Sequence, residues 1–210
     1  GDGIVRLEAL AGIIAIEGYL SIGETALHNL HGLEGLQRVG WLSIHQNARL
    51  ADPTGLQQLV AVRGNLDLFK NPLLSRLTPF SALTYVGQDL NIYDNASLAM
   101  LKGLDSLEQI GGSLFIYRNN ILVDLEGLDR LRAIGDDLAI IKNDALVRID
   151  PLQALASVEG HLYIFDNPLL AACGIPSVCR HLERAALAIT ISENAAGCDN
   201  PAEVIAGCRK

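Results

Sequence analysis

One asparagine recurs every 24 residues through most of the chain, and this spacing restricts the possible folds more than any other feature. The same apolar residues return around each asparagine: one unit reads Leu90, Ile92, Asn95, Leu98, Leu101, Leu104, Leu107 and Ile110. A fixed period of about 20–50 residues is typical of solenoids and related repeat architectures. The asparagine series is Asn47, Asn71, Asn95, Asn119, Asn143 and Asn167.

The spacing of the apolar residues excludes ordinary helices. Apolar positions repeated at i+3 drift by about 60° per step around an α-helix, and strand-like alternation occurs only at the Leu-x-Ile step. We therefore expect a chain that winds around a core, with a short strand at Leu-x-Ile and tight 3₁₀-like or extended sides. Stacking of those strands predicts a mainly β, right-handed parallel solenoid of about seven coils, with strands about 4.8 Å apart.

The repeat divides the chain into three parts of one domain, residues 1–210. Residues 1–17 form a partial N-terminal coil or cap, residues 18–172 carry the repeats, and residues 173–210 form a C-terminal cap. The first full coil is two residues short and has Thr25 at the asparagine position. In the cap, residues 176–186 are expected to form a short helix, after which Ile189, Ile191 and Asn194 repeat the pattern once more.

The asparagines are interpreted as structural. After each strand the chain must turn, which leaves backbone groups without partners inside the solenoid. A buried amide side chain can both donate to and accept from such groups. We therefore expect an asparagine ladder along the stack rather than ligand contacts.

All four cysteines lie in the last 38 residues. An even, clustered set indicates disulfides and an oxidising compartment. A zinc site is the alternative, but the intervening segments of 5, 18 and 9 residues contain no tight pair of the kind that structural zinc uses. Three pairings are possible, and the repeat register favours Cys173–Cys198 with Cys179–Cys208.

The unit GSLFIYRNNILVDLEGLDRLRAIG, which begins at Gly112, resembles the receptor L-domain type of leucine-rich repeat. The resemblance covers about residues 4–182, and the cysteine-containing tail resembles the end cap of the secreted or surface bacterial members. It implies a solenoid that is secreted or displayed at the cell surface. The resemblance gives little information about the identity of the ligand, because such solenoids bind proteins, peptides and glycans alike.

Aromatic residues concentrate on one predicted surface, the outer strand face. This face comprises the residues before, between and after the two apolar positions of each Leu-x-Ile strand. It contains eight of the ten aromatic residues; Phe80 and Tyr85 lie elsewhere. The candidate ligand-binding residues are seven of these eight aromatic residues together with one histidine: Trp41, His45, Phe69, Tyr93, Phe115, Tyr117, Tyr163 and Phe165.

Two interpretations of this face stay open. Aromatic residues favour strands and stack on their neighbours across a sheet. Exposed aromatic patches with polar rims also mark binding sites. A column of mostly charged residues runs beside the face, from Glu24 to Asp166, and its alternating middle part predicts lateral pairing between coils.

Composition and motifs exclude several classes of function. A net charge of −8 disfavours nucleic acid and anionic membrane surfaces. No apolar run reaches the length of a membrane span, and no signal peptide is expected within the given sequence. No motif for a cofactor, a metal or nucleophilic catalysis occurs, and the carboxylates Asp67 and Asp89 are better explained as solvated than as a glycosidase pair.

The sequence therefore predicts a secreted or cell-surface module, not an enzyme, that binds a protein or a glycan through the outer strand face. A structural spacer within a larger surface protein, with no discrete ligand, is the alternative. A polysaccharide-active β-helix enzyme is a minor one.

Overall fold

A computed structural model describes residues 4–183 and 188–208 and shows a parallel β-solenoid of about seven coils with a short helical, disulfide-bonded C-terminal part. Three 3₁₀ helices, Glu8–Leu10, Thr78–Phe80 and Asp150–Ala154, lie on its sides, and two α-helices, α1 (Pro176–Leu182) and α2 (Pro201–Cys208), lie in the cap. The strands in chain order are β1 (Ala15–Gly23), β2 (Arg38–His45), β3 (Ala61–Val62), β4 (Leu66–Phe69), β5 (Tyr85–Val86), β6 (Leu90–Tyr93), β7 (Gln109–Ile110), β8 (Leu114–Tyr117), β9 (Ala133–Ile134), β10 (Leu138–Ile141), β11 (Ser157–Val158), β12 (Leu162–Asn167) and β13 (Ile189–Asn194).

The strands form two parallel stacks that meet at β2. The main stack runs β1–β2–β4–β6–β8–β10–β12–β13 and contains the Leu-x-Ile segments. The second stack runs from β2 through the two-residue strands β3, β5, β7, β9 and β11. Leu90 pairs with Leu66 on one side and with Leu114 on the other, so in the middle of the main stack the register advances by one 24-residue coil per strand, as predicted.

The inward side of every coil is filled by the apolar residues of the repeat. Leu90, Ile92, Leu98 and Leu104 are fully buried, and the same holds for their equivalents in the neighbouring coils. Because side chains alternate along a strand, the residue between Leu90 and Ile92 points outward. The direction of the core thereby fixes which residues lie on the outer strand face.

One corner of the coil requires glycine or proline. Gly103 and Gly127 have φ of 117° and 112°, and a Cβ at Gly127 would lie 2.3 Å from the carbonyl oxygen of Leu101. Both the backbone conformation and the close approach therefore demand glycine. In two coils the equivalent residues are Pro79 and Pro151, each the second residue of a 3₁₀ helix.

The asparagines form the predicted ladder. In each coil the Nδ2 group donates to a backbone carbonyl of the preceding coil, as from Asn119 to Ile92 (2.9 Å), and Oδ1 accepts from the backbone N–H of the preceding asparagine, here Asn95 (3.2 Å). All six predicted members are fully buried. The ladder therefore satisfies polar groups that the turn would otherwise leave unpaired inside the core.

Different residues continue the ladder at its two ends. Thr25 donates its N–H (3.1 Å) and its hydroxyl (2.6 Å) to Oδ1 of Asn47. Asn194 adds a seventh rung, in register with Asn167. The carboxylate of Asp199 then accepts the N–H of Asn194 at 3.2 Å, as the next asparagine would.

The C-terminal cap contains both disulfides, Cys173–Cys198 and Cys179–Cys208, the pairing favoured by the register. Helix α1 ends at Leu182; residues 184–186, which were also expected to be helical, lie outside the described residues. Helix α2 was not predicted. It begins after Asn200, whose Oδ1 accepts the N–H of Glu203 at 3.0 Å, while Glu203 accepts the backbone N–H groups of Gly197 and Asp199.

Helix α1 also closes the second stack. In the coils before it, the backbone N–H of each equivalent residue donates to the preceding coil, as from Ala156 to the carbonyl of Arg132 (2.8 Å). At the next position Arg180 donates through its side chain, with Nη2 at 3.1 Å from the carbonyl of Ala156 and 3.0 Å from that of Leu155. A guanidinium group thus takes the place of a strand N–H where the chain becomes helical.

Candidate functional site

The structure places the predicted aromatic residues on one side of the main stack. Trp41 and His45 lie on β2, Phe69 ends β4 and Tyr93 ends β6. The other four lie on β8 and β12, so all eight belong to the outer strand face. Their roles as ligand contacts stay a prediction, and their geometry divides the face into two halves.

In the N-terminal half the rings stack on one another. The centroids of His45 and Phe69 lie 4.9 Å apart and those of Phe69 and Tyr93 lie 4.6 Å apart, each pair within 7° of parallel. A Cβ at Gly23 would fall 2.1 Å from Cε1 of His45, so this glycine leaves room for the first ring. Because both faces of Phe69 are covered, this ring presents only its edge to solvent.

Polar residues beside this stack bind one another. The side chain of Asn91 donates to Asp67 at 2.7 Å, and Ser21 and Gln46 lie 3.2 Å from the two ring nitrogens of His45. Burial raises the pKa of the Asp67 carboxyl, and the neighbouring Asp89 raises it further, against the lowering by Asn91 and His45. Burial also raises the pKa of the Tyr93 phenol, as do the carboxylates of Asp67 and Asp94.

The C-terminal half of the face is a continuous apolar block on three adjacent strands. Ala139 lies in register between Phe115 and Tyr163, and Ile141 lies between Tyr117 and Phe165. The rings are half-buried, whereas Ala139 is only 1% exposed. The block consists of Phe115, Tyr117, Ala139, Ile141, Tyr163 and Phe165.

Three residues expected to face solvent are buried instead: Ser43 (2% exposed), Ser113 (4%) and Ala139 (1%). Ala139 lies in register between two larger residues on the adjacent strands, Phe115 and Tyr163. Ser113 is also tied to the sheet, since its N–H donates to Asp89 at 2.9 Å and its hydroxyl accepts from the N–H of Asp137 at 3.2 Å. These contacts connect Asp89, Ser113 and Asp137 across three adjacent coils.

Charged residues border the apolar block where each strand ends. Nε of Arg118 lies 3.3 Å from a carboxylate oxygen of Asp94, and Nζ of Lys142 lies 3.6 Å from one of Asp166, so the predicted lateral pairing occurs. The Arg118 guanidinium also lies 5.7 Å from the centre of the Tyr117 ring. The block is thus an apolar area with a charged border.

A second group of exposed apolar residues, beyond the asparagine turn, was missed by sequence reasoning. These side chains stand two or four positions after a ladder asparagine and are more exposed than the rings of the block. A column-by-column comparison of those positions would have found them. They are Leu73 (50% exposed), Ile121 (45%), Val123 (46%), Val147 (41%) and Leu169 (54%).

Fold and surface together define a disulfide-capped parallel β-solenoid with an asparagine ladder and an aromatic outer strand face. No family model, no curated protein and no solved structure matches the chain. Across residues 4–183 and 188–208, no helix has the length and apolar character that crossing a membrane requires. The two disulfides are consistent with an extracellular location.

Proposed function

We propose that the chain is an extracellular or cell-surface binding module that recognises a protein or a glycan through the outer strand face. The observation that carries this proposal is the apolar block on β8, β10 and β12, bordered by Arg118, Lys142 and Asp166. Binding sites commonly combine a central aromatic area with a polar rim. The resemblance of the repeat to receptor L domains supports the same proposal.

The experiment needs a partner and a matched pair of aromatic variants. The immobilised chain is first probed with extracellular proteins and with a glycan array. Tyr117→Ala is then compared with Tyr85→Ala, because Tyr85 is a 37% exposed tyrosine outside the outer strand face. We expect Tyr117→Ala to weaken the partner at least about tenfold, as loss of a central aromatic contact does, and Tyr85→Ala to have no effect. Equal binding by both variants would reject the proposal.

A structural spacer is the second candidate, and the ring stack in the N-terminal half favours it. Rings that cover each other's faces stabilise neighbouring coils without needing a ligand. For a spacer, Tyr93→Ala should lower the thermal stability, and no variant of the outer strand face should change binding to any partner. Measuring stability and binding on the same variants separates the two functions.

A further inference from the structure

Trp41 differs from the stacked rings of His45, Phe69 and Tyr93 because it packs on a glycine and is more exposed than they are. A Cβ at Gly64, in the next coil, would lie 1.5, 1.8 and 2.4 Å from Nε1, Cδ1 and Cε2 of the indole, distances that place it out of the ring plane, over the Nε1–Cδ1 edge. The Nε1–Cδ1 side of the indole therefore packs against Gly64. The residue is nevertheless 44% exposed, so nearly half of its side-chain surface is available to a ligand.

Hydrogen-bond donors and hydrogen-bond acceptors both lie beside this ring. Trp41 lines a depression of about 180 Å³ together with Glu17, Arg63, Gln88 and two glycines. Arg63 and Glu17 form an ion pair. Gln88 adds both a donor and an acceptor. Tyr19, in register with Trp41 on β1, is 57% exposed and extends the aromatic surface.

These features fit one class of ligand. A flat aromatic face carries partial negative charge and attracts the weakly positive C–H groups on one side of a sugar ring. Hydroxyl groups at the edge of the sugar both donate and accept, as the surrounding side chains do. Because Glu17 is paired with Arg63, the rim favours a neutral ligand over a charged one. The depression is smaller than the roughly 300–1,000 Å³ of pockets that enclose drug-sized molecules, which suits a single ring.

We propose that Trp41, with Glu17, Arg63 and Gln88, forms a subsite for a neutral pyranose unit of a glycan. The inference rests on the proposed binding function and names its ligand class. Its location at the N-terminal end of the outer strand face separates it from the apolar block on β8, β10 and β12. One surface of the solenoid would then hold a glycan at one end and leave the block for other contacts.

Trp41 is the only tryptophan of the chain, so the tryptophan fluorescence reports on this site alone. The probes are cellohexaose, mannohexaose, chitohexaose and maltohexaose, followed by tryptophan fluorescence. We expect at least one to change the emission saturably, with a dissociation constant of millimolar order for contact with one ring. Absence of a saturable change with all four overturns the inference.

Variants then locate the bound sugar by calorimetry. Trp41→Ala should weaken binding at least about tenfold, as loss of a central aromatic contact does, whereas Trp41→Phe, which keeps a smaller ring, should lose much less. Gly64→Ala keeps the indole but occupies the space against which it packs, so it should weaken binding as Trp41→Ala does. Tyr85→Ala is the matched control and should bind as the unmodified chain, and circular dichroism checks that each variant is folded.

The outcomes distinguish this inference from the proposed function. Sugar binding that survives Trp41→Ala but is lost in Phe115→Ala would place the glycan on the apolar block, which overturns the inference and supports the function. Loss of binding to a protein partner in Tyr117→Ala, together with no response to any oligosaccharide, would also overturn the inference and support the proposed function. Loss of sugar binding in both Trp41→Ala and Gly64→Ala supports the subsite.

Discussion

Asp67 carries an unfavourable charge within the outer strand face. Its carboxylate is about half-buried between β2 and β6, and both burial and Asp89 raise its pKa above the ordinary value of 3.8. A raised folded-state pKa means that the folded chain binds this proton more tightly than the unfolded chain does. The contribution of Asp67 to stability therefore declines as the pH rises from 3.8 through the folded-state pKa, and it is least favourable at neutral pH.

Asp67→Asn should raise the free energy of unfolding at neutral pH. The amide oxygen can still accept from Asn91, while the charge and its repulsion of Asp89 are gone. We expect a gain below about 1 kcal/mol, since solvent screens a half-exposed group, and the gain should vanish below about pH 3.8. Urea unfolding at neutral and acid pH tests this.

The Tyr93 phenol gives an independent measurement of the same change. Asp67 helps to raise its pKa, so an ultraviolet titration of Asp67→Asn should find that pKa closer to its ordinary value. Asp144→Asn, a control at an exposed position in a later coil, should leave the Tyr93 pKa unchanged. A Tyr93 pKa that is the same in both variants would contradict the assigned interaction.

Some residue-scale geometry could not be predicted from the sequence. Each residue that precedes a ladder asparagine has a positive φ, from 53° at Gln46 and Arg118 to 59° at Asp166, although none of them is glycine or asparagine. Such a conformation costs about 1–2 kcal/mol. The position is fixed by the stack: the N–H of Lys70 donates to the carbonyl of Tyr93 in the next coil (3.1 Å), and that of Asp94 to Tyr117 (3.1 Å). Hydrogen bonds between coils therefore offset the cost of the positive φ. Such bonds cannot be inferred from the local sequence around each residue.

At the scale of the coil, the asparagine ladder connects neighbouring turns. Asn119→Ala would leave the carbonyl of Ile92 and the N–H of Asn95 without the partners they have now. We expect a loss of about 2–4 kcal/mol, because unsatisfied polar groups are costly in a dry core. Asn120→Ala removes an exposed amide from the same coil and should cost less than about 0.5 kcal/mol. Urea midpoints compare the two, and similar losses would contradict a structural role for the buried amide.

The sequence predicted elements that repeat better than elements that occur once. Stack, register and ladder follow from a pattern repeated every 24 residues, so each coil corroborates the others. Helix α2 occurs once and was missed, although Asn200, Pro201 and Glu203 are a recognisable helix start. The role of Asp199 as a substitute rung could not be predicted, because its sequence position does not match the ladder spacing. The packing of Trp41 on Gly64 is a contact between coils that composition alone does not reveal.

At the scale of the whole molecule, each coil contacts chiefly its neighbours, so stability is distributed along one direction. The ends are weakest because they have a neighbour on one side only. At the C-terminal end, Cys173–Cys198 joins the turn after β12 to the turn after β13, across 25 residues of chain. This bond holds the last coil to the stack, whereas Cys179–Cys208 joins the two cap helices.

Replacing both Cys173 and Cys198 with alanine should therefore loosen one end of the solenoid rather than the whole. Loop-closure entropy for 25 residues corresponds to about 3.5 kcal/mol, and we expect the loss to appear as faster amide hydrogen exchange in β12 and β13. Strands β4 to β8 should keep their protection, because their neighbouring coils are unchanged. The matched variant, with Cys179 and Cys208 replaced, should expose α1 and α2 but protect β13. Uniformly faster exchange in all strands of the first variant would mean that the chain unfolds as a single unit and that its ends are not independently stabilised.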